Sequence, residues 1–393
     1  MLKTAAFLLV MMVLMLPTML ASLQGHAAGE QPSALLQQSP IIRISAKASD
    51  LVDKLAQVTA TSTAGATDQQ HMEDLNWSGL ESYRLRRFDR AASAFQDALA
   101  IARRLQDRAF EGVILANLGL TYSRMGQFAK GLDTLNQALT IRRELHDRHG
   151  EAETLAHLGM AYYLQKQFAK ATDYYARALY INRQIGDSAG EATDLSNIGF
   201  LYLTQKKYTQ ALQFYSQSLA VRRKSGDRQG EANTLNNIGA VYDDQGQYAK
   251  ALDYYDQAFR IQYEISDRAG QAVTLSNIGW LYYKQKQYAK ALENLIPALA
   301  IWTELEDLVS ESEALVDIGI IYDAIAQYRM ALDYFLQARK IKQQIGDCEG
   351  ESSVLFAIGQ IHGKLGHYMD GLDYSIQALT TGLKCYVQKV STP

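Results

Sequence analysis

Between Thr67 and Tyr386 the hydrophobic and polar positions obey one period of 40 residues. Glycine recurs without a slip at 79, 119, 159, 199, 239, 279, 319 and 359. A leucine stands four residues before each glycine, from Leu75 to Leu355, and an aromatic ring nine after, from Phe88 to Tyr368. Asp recurs at 107, 147, 187, 227, 267, 307 and 347, with Thr67 at the matching first place. The unit Asp227–Ser266 shows what one period builds. Asp227 is an N-cap residue, able to accept from the free amides of a first helical turn. Leu235, Ile238, Gly239 and Tyr242 fall at i, i+3, i+4 and i+7, one apolar helical face. Gly246-Gln247 ends that helix, and a second begins near Tyr248. On it Ala251, Leu252, Tyr255, Ala258, Phe259, Ile261 and Ile265 form a stripe wider than the usual ~100°, so it must touch two neighbours, its own partner helix and the next unit. The pattern predicts eight helix–turn–helix units: 67–106, 107–146, 147–186, 187–226, 227–266, 267–306, 307–346 and 347–386. Glycine inside a helix costs ~1 kcal/mol against Ala. Eight of them need a compensating gain, and the expected one is close approach of the paired helix.

The flanks differ in material. Residues 1–27 read as an export signal: Lys3, the apolar stretch Ala5–Leu20, then small residues with a cleavage site after Ala27. The alternative is an uncleaved membrane anchor at residues 5–20, although about 20 apolar residues are needed to span a bilayer. Residues 28–66 are rich in Ala, Ser, Thr and Gln and read as a flexible linker, with one short amphipathic helix at 47–59. Residues 387–393 form a tail. The net charge of -3 lacks the electrostatic footprint for phosphate backbones, so nucleic acid is not an expected partner. Cys348 and Cys385 are the two cysteines of the chain. They fall at the same end of the last hairpin, where they either pair, as an exported protein allows, or stand as two unrelated thiols.

These residues resemble the tetratricopeptide repeat. Leu118-Gly119, Tyr122, Gly131, Leu135 and Ala138 fill that pattern in one unit. Ile198-Gly199, Tyr202, Ala211, Tyr215 and Ser218 fill it in another, and Ile238-Gly239, Tyr242, Ala251, Tyr255 and Ala258 in a third. The resemblance covers residues 67–386 and implies an all-α, right-handed solenoid. The unit is longer than the commonest form and lacks its closing Pro. It looks most like the long repeats of kinesin light chains and G-protein-signalling modulators, and like exported bacterial arrays common in cyanobacteria. Ser78 and Ser82 in the first unit, and His362 and Ser375 in the last, depart from the pattern, so the ends are expected to be looser or to act as caps.

The resemblance assigns the first helices to a concave wall, and the helical geometry agrees. With Leu235, Ile238, Gly239 and Tyr242 buried, positions 233, 236, 237, 240, 243 and 244 point the other way. Here they are Asn233, Asn236, Asn237, Ala240, Asp243 and Asp244; elsewhere the wall includes Tyr163, Ser196, Asn197, Phe200, Ser276, Asn277, Trp280 and Tyr283. Two residues before each glycine runs the column Asn117, His157, Asn197, Asn237, Asn277, Asp317. Asn competes with the helix for backbone bonds, so its recurrence there asks for a reason. In the long-repeat relatives a matching Asn holds an extended peptide, so the resemblance implies Asn117, Asn197, Asn237 and Asn277 as peptide-backbone clamps. The alternative is that copies made by duplication share Asn by descent. Phe200, Trp280 and Tyr283 would supply apolar anchors, or else pack between repeats. Tyr202, Tyr242, Tyr282 and Tyr322 are expected in the core. Asp243, Asp244, Asp317 and Asp323, against Lys284 and Arg124, favour a neutral or basic ligand segment.

The chain carries no Gly-rich phosphate loop, no H-E-x-x-H and no G-x-S-x-G. His146 and His149 lie near one turn, but no cysteine or acidic cluster joins them, and solvated surface is the simpler reading. No metal, cofactor or catalytic residue is expected. The expected function is an exported, periplasmic or extracellular, non-catalytic scaffold for a protein or peptide. The alternatives are a regulatory subunit of a separate enzyme and a self-assembling array. The latter rests on the last helix, 370–389, which leaves Leu383, Tyr386 and Val387 to be covered.

Overall fold

The computed structural model describes residues 67–391. The expected export signal (1–27), linker (28–66) and short helix (47–59) lie outside the described residues. Sixteen helices follow one another in hairpins: α1 (67–84), α2 (Phe88–Arg104), α3 (Arg108–Arg124), α4 (Phe128–Glu144), α5 (Arg148–Leu164), α6 (Phe168–Ile185), α7 (Ser188–Thr204), α8 (Tyr208–Ser225), α9 (Arg228–Asp244), α10 (Tyr248–Glu264), α11 (Arg268–Lys284), α12 (Tyr288–Glu304), α13 (Leu308–Ala324), α14 (Tyr328–Ile345), α15 (Cys348–Lys364) and α16 (Tyr368–Ser391). Odd-numbered helices are the first of each repeat and even-numbered the second. The fold is an all-α solenoid, and no strand occurs among the described residues. The last helix runs through residues expected to form a tail and ends at Ser391.

Each boundary is where the chain chemistry puts it. The Asp227 carboxylate accepts from the Gly230 amide at 2.8 Å, and Asp187, Asp267 and Asp347 cap their helices in the same way. Helices α6, α8 and α14 close on Gly186, Gly226 and Gly346 in the left-handed conformation.

The mid-helix glycines sit where the two helices of a hairpin touch. A Cβ on Gly239 would lie 2.6 Å from Tyr255 Cε1, and one on Gly319 2.7 Å from Phe335 Cε1. On Gly119 it would meet Leu135 Cγ at 2.7 Å and the Gly131 carbonyl at 2.9 Å. Tyr215, Tyr255 and Phe335 are correspondingly buried on the opposing helices. The tyrosines three residues after the glycines are less enclosed than expected. Tyr202, Tyr242 and Tyr322 are half-buried, each stacked on a ring of the second helix: Phe214, Tyr254 and Tyr334. In four repeats a lysine ammonium covers the ring edge of the hairpin, Lys130 over Tyr122, Lys170 over Tyr162, Lys250 over Tyr242 and Lys290 over Tyr282, at 4.2–5.3 Å.

Ionic ties couple successive repeats. Glu231 is buried and accepts from Arg223 on α8 and Arg228 on its own helix, and Arg228 reaches on to Glu264. Glu111 and Glu151 repeat the pattern. Burial alone would raise the Glu111 pKa, but hydrogen bonds from Arg103 and Arg108 outweigh it and hold the carboxyl below its usual value. The array curls far enough that Arg86, in the turn after α1, pairs with Glu313 on α13 at 2.8 Å.

The last repeat is stapled. Cys348, opening α15, is bonded to Cys385 on α16, the paired alternative of the sequence reading. On its second helix Leu372, Ile376, Leu379 and Leu383 are exposed. The side chains of Tyr386 and Val387 lie outside the described residues.

Two outcomes follow for stability. Gly239→Leu forces a side chain into Tyr255, and overpacking of this kind costs about 1–3 kcal/mol or more, whereas Asn233→Ala on the open face stays within about 0.5 kcal/mol; urea melts measure both. Removing the disulfide with a Cys348→Ser, Cys385→Ser double variant lowers stability by about 4 kcal/mol for a loop of this length, centred on the last hairpin. Hydrogen exchange resolved by repeat measures it.

Candidate functional site

The wall positions of consecutive first helices converge on one hollow. A cavity of about 510 Å³ is lined by Leu120 and Arg124 of α3, by Glu153, Ala156, His157 and Met160 of α5, and by Thr193 and Asn197 of α7. These are the places six, three and two before, and one and five after, the repeat glycine, all within the outward set expected from the helical geometry. Tyr83 closes one side, and Asn182 and Tyr175 of α6 form the floor.

The floor is polar and only partly satisfied. Asn182 donates from Nδ2 to Asp194 at 2.8 Å, which leaves its buried Oδ1 without a partner. The buried Nδ1 of His157 also has none. Burial pushes the Asp194 carboxyl up to about 7, with Asp187 adding to the rise and the Asn182 hydrogen bond opposing it. Burial, helped by Arg142 and opposed by Glu153, holds the His157 imidazole below its usual value, so it is neutral at pH 7. At the rim His149 Nδ1 lies 3.1 Å from Asp187 Oδ2, so its partner is this N-cap carboxylate and not His146. The cavity floor thus carries an unpartnered acceptor, Asn182 Oδ1, and an unpartnered imidazole nitrogen, His157 Nδ1.

Along the wall from there the four candidate amides divide. Asn117 donates to Asn76 Oδ1 at 3.2 Å, within the array. Asn197, Asn237 and Asn277 are half-buried, and their amides have no hydrogen-bond partner among the described residues and are not sealed from solvent. Asn233 is exposed. Asn236 corrects the expectation: it is buried and donates to Thr274 Oγ1 at 2.7 Å, which in turn donates to Gln262. The outward set was reckoned against the partner helix alone. Neighbouring first helices also touch, as α9 does α11, and the position three before the glycine faces that contact.

The aromatic and acidic candidates are more tied than expected. Phe200 is 41% exposed and meets Tyr163 edge-on. Trp280 is half-buried and donates from Nε1 to Asp317 at 2.8 Å, while Tyr283 packs edge-on against it. Burial raises the Asp317 carboxyl to about 6, against the pull of that bond. Asp243 pairs with Lys284 at 2.8 Å, Asp323 with Lys364 at 2.6 Å, and Asp244 accepts from Tyr208. The later wall acids are thus engaged within the array, while Glu153, Asp187 and Asp194 line the cavity together with Arg124 and His149. The sequence reading missed Asp194 and Asn182. The signal for both was a break in the repeat: Asp194 stands where repeats three, five and six have Thr154, Thr234 and Thr274, and Asn182 where their neighbours carry Arg142 and Arg222.

Asp194 also sets a pH dependence. Its carboxyl titrates higher in the folded chain than the ordinary 3.8, so its contribution to stability is full below about pH 4 and is lost as pH rises towards 7. Asp194→Asn should flatten that part of the stability profile between pH 4 and 7, as read by denaturant melts across the range.

The comparisons with known proteins agree with this architecture. The family model described as tetratricopeptide repeat matches residues 75–144, 110–184, 190–264 and 270–344, well over half of the chain. No curated protein sequence matches. Among solved structures, aspartyl phosphate phosphatase F from Bacillus subtilis aligns at 16% identity and a TM-score of 0.51, over 73% of this chain and 75% of its own. The signal-transduction ATPase with a tetratricopeptide repeat sensor from Pyrococcus horikoshii aligns at 17% identity and a TM-score of 0.55, over 79% of this chain and 48% of that longer one. At such identities the likeness is one of fold. Arrays of this type generally present extended surfaces for protein interaction. With the close glycine contact inside the interior hairpins, to a ring at Gly159, Gly199, Gly239 and Gly319 and to a leucine at Gly119 and Gly279, and the family match between residues 75 and 344, the chain belongs to the tetratricopeptide-repeat family.

Proposed function

We propose that the chain is an exported, non-catalytic scaffold that holds an extended segment of a protein or peptide along its first-helix wall, from the cavity at repeats two to four to Asn277. The observation that carries this is the row of unpartnered, solvent-open amides at Asn197, Asn237 and Asn277, one per repeat. An extended backbone offers donors and acceptors in series, and amides can engage both. Phe200 supplies an exposed ring beside the row, and Asn233 widens the polar wall. The cavity adds a selective end, since Asp194, Asp187 and Glu153 favour a segment with a basic or donor-bearing side chain there. A backbone-reading wall needs neither a cofactor nor a catalytic group. The apolar stretch at residues 5–20 supports export, and the Cys348–Cys385 disulfide fits an oxidising compartment. Among the described residues no helix is long and apolar enough to cross a membrane.

Changing Asn197, Asn237 and Asn277 together to Ala removes up to three bonds of ~1 kcal/mol each, a weakening of roughly 100-fold. The expected result is loss of the partners captured by the parent from an extract of its native compartment, with thermal unfolding unchanged. An identical set of captured partners would overturn the groove reading.

A further inference from the structure

The turn of the last repeat differs from every other turn in one coordinated way. In repeats two, three, five and six the tyrosine after Gly-x-x pairs with a lysine ammonium across the hairpin, and a Gln stands at the second helix N-cap. In the last repeat all three places change together. Tyr becomes His362, Gln becomes His367 and Lys becomes Asp370. The ring position survives as a ring, since His362 stacks on Tyr374 at 5.2 Å as the tyrosines do on their partners. A covered ring with a cation has been exchanged for two imidazoles and a carboxylate.

The fold brings their donor atoms together. The 362–370 turn places one ligand atom from each of His362, His367 and Asp370 within 4.8 Å of one another. His362 Nδ1 lies 3.8 Å from Asp370 Oδ2, is buried and makes no hydrogen bond. The other two side chains are exposed and can turn inward. Donors around a tetrahedral ion with bonds of about 2.0–2.1 Å sit closer than this, so rotation of His367 and Asp370 must close the set.

We propose that His362, His367 and Asp370 form a binding site for a divalent transition metal ion of the zinc class. Two imidazoles and one carboxylate are borderline nitrogen and oxygen donors, suited to zinc, nickel or copper; calcium and magnesium prefer oxygen alone. Three protein ligands leave a coordination position for water. The ion ties the end of α15 to the start of α16, at the opposite end of the hairpin from the Cys348–Cys385 bond. The last hairpin is thereby closed at both ends.

The test uses the tag-free full chain, stripped with EDTA, desalted and titrated calorimetrically with zinc chloride, with magnesium chloride as control. The expected result is one saturable zinc site per chain, lost in His367→Gln and in Asp370→Lys and kept in His149→Ala. The first two variants install residues that repeats two, three, five and six carry at these places, so the metal-free chain should unfold as the parent does. Bound zinc should slow hydrogen exchange at the 362–370 turn in the parent alone. No saturable zinc binding, or equal binding by His367→Gln, would overturn the site and leave only an ion pair between His362 and Asp370.

Discussion

Gly239 faces the ring of Tyr255 at a distance that leaves no room for a single methyl group. That contact, repeated with a ring at Gly159, Gly199 and Gly319 and with a leucine at Gly119 and Gly279, sets how near the two helices of these repeats lie. The ring takes the volume that the glycine gives up, so the apolar burial and dispersion of a large buried side chain offset the helix-breaking tendency of glycine. Hairpins built on the same close approach then stack one on the next, each touching its neighbours along the array.

Stacking creates a second kind of contact, between neighbouring repeats, and it decides which wall residues stay free. Glu231 held between Arg223 and Arg228 couples one hairpin to the next, and Asn236 is drawn into the same seam through Thr274. What remains open is the position two before each glycine. There Asn197, Asn237 and Asn277 keep unused amide groups, while Asn117 and Asp317 are occupied by Asn76 and Trp280. The open row is therefore central and ends in the polar cavity floored by Asn182 and Asp194.

The first and the last described repeats are tied down differently. The first repeat reaches across through Arg86 to Glu313, an exposed pair of small energetic weight. The last repeat, with exposed Leu379 and Leu383, carries the only disulfide and a cluster of His and Asp in place of the usual Tyr and Lys. A covalent bond and a His–Asp cluster thus stand in the repeat whose Leu379 and Leu383 are exposed.

The sequence alone determined the all-α repeat fold, the helix hairpin as its unit and the capping role of Asp227 and its equivalents, because these depend on contacts within about 40 residues and recur along the chain. It also picked out the glycines as points of close approach and the outward set of first-helix positions. Only the tertiary structure separated Asn236 from Asn237, since both face away from the partner helix and differ only in what the next repeat covers. The pairing of Asp243 with Lys284, of Trp280 with Asp317 and of Asn182 with Asp194, and the convergence of His362, His367 and Asp370, were likewise decided there. A period reports what the copies share, whereas these partnerships arise from the residues in which one copy differs from its neighbours, and their meaning depends on which side chains the superhelix brings alongside.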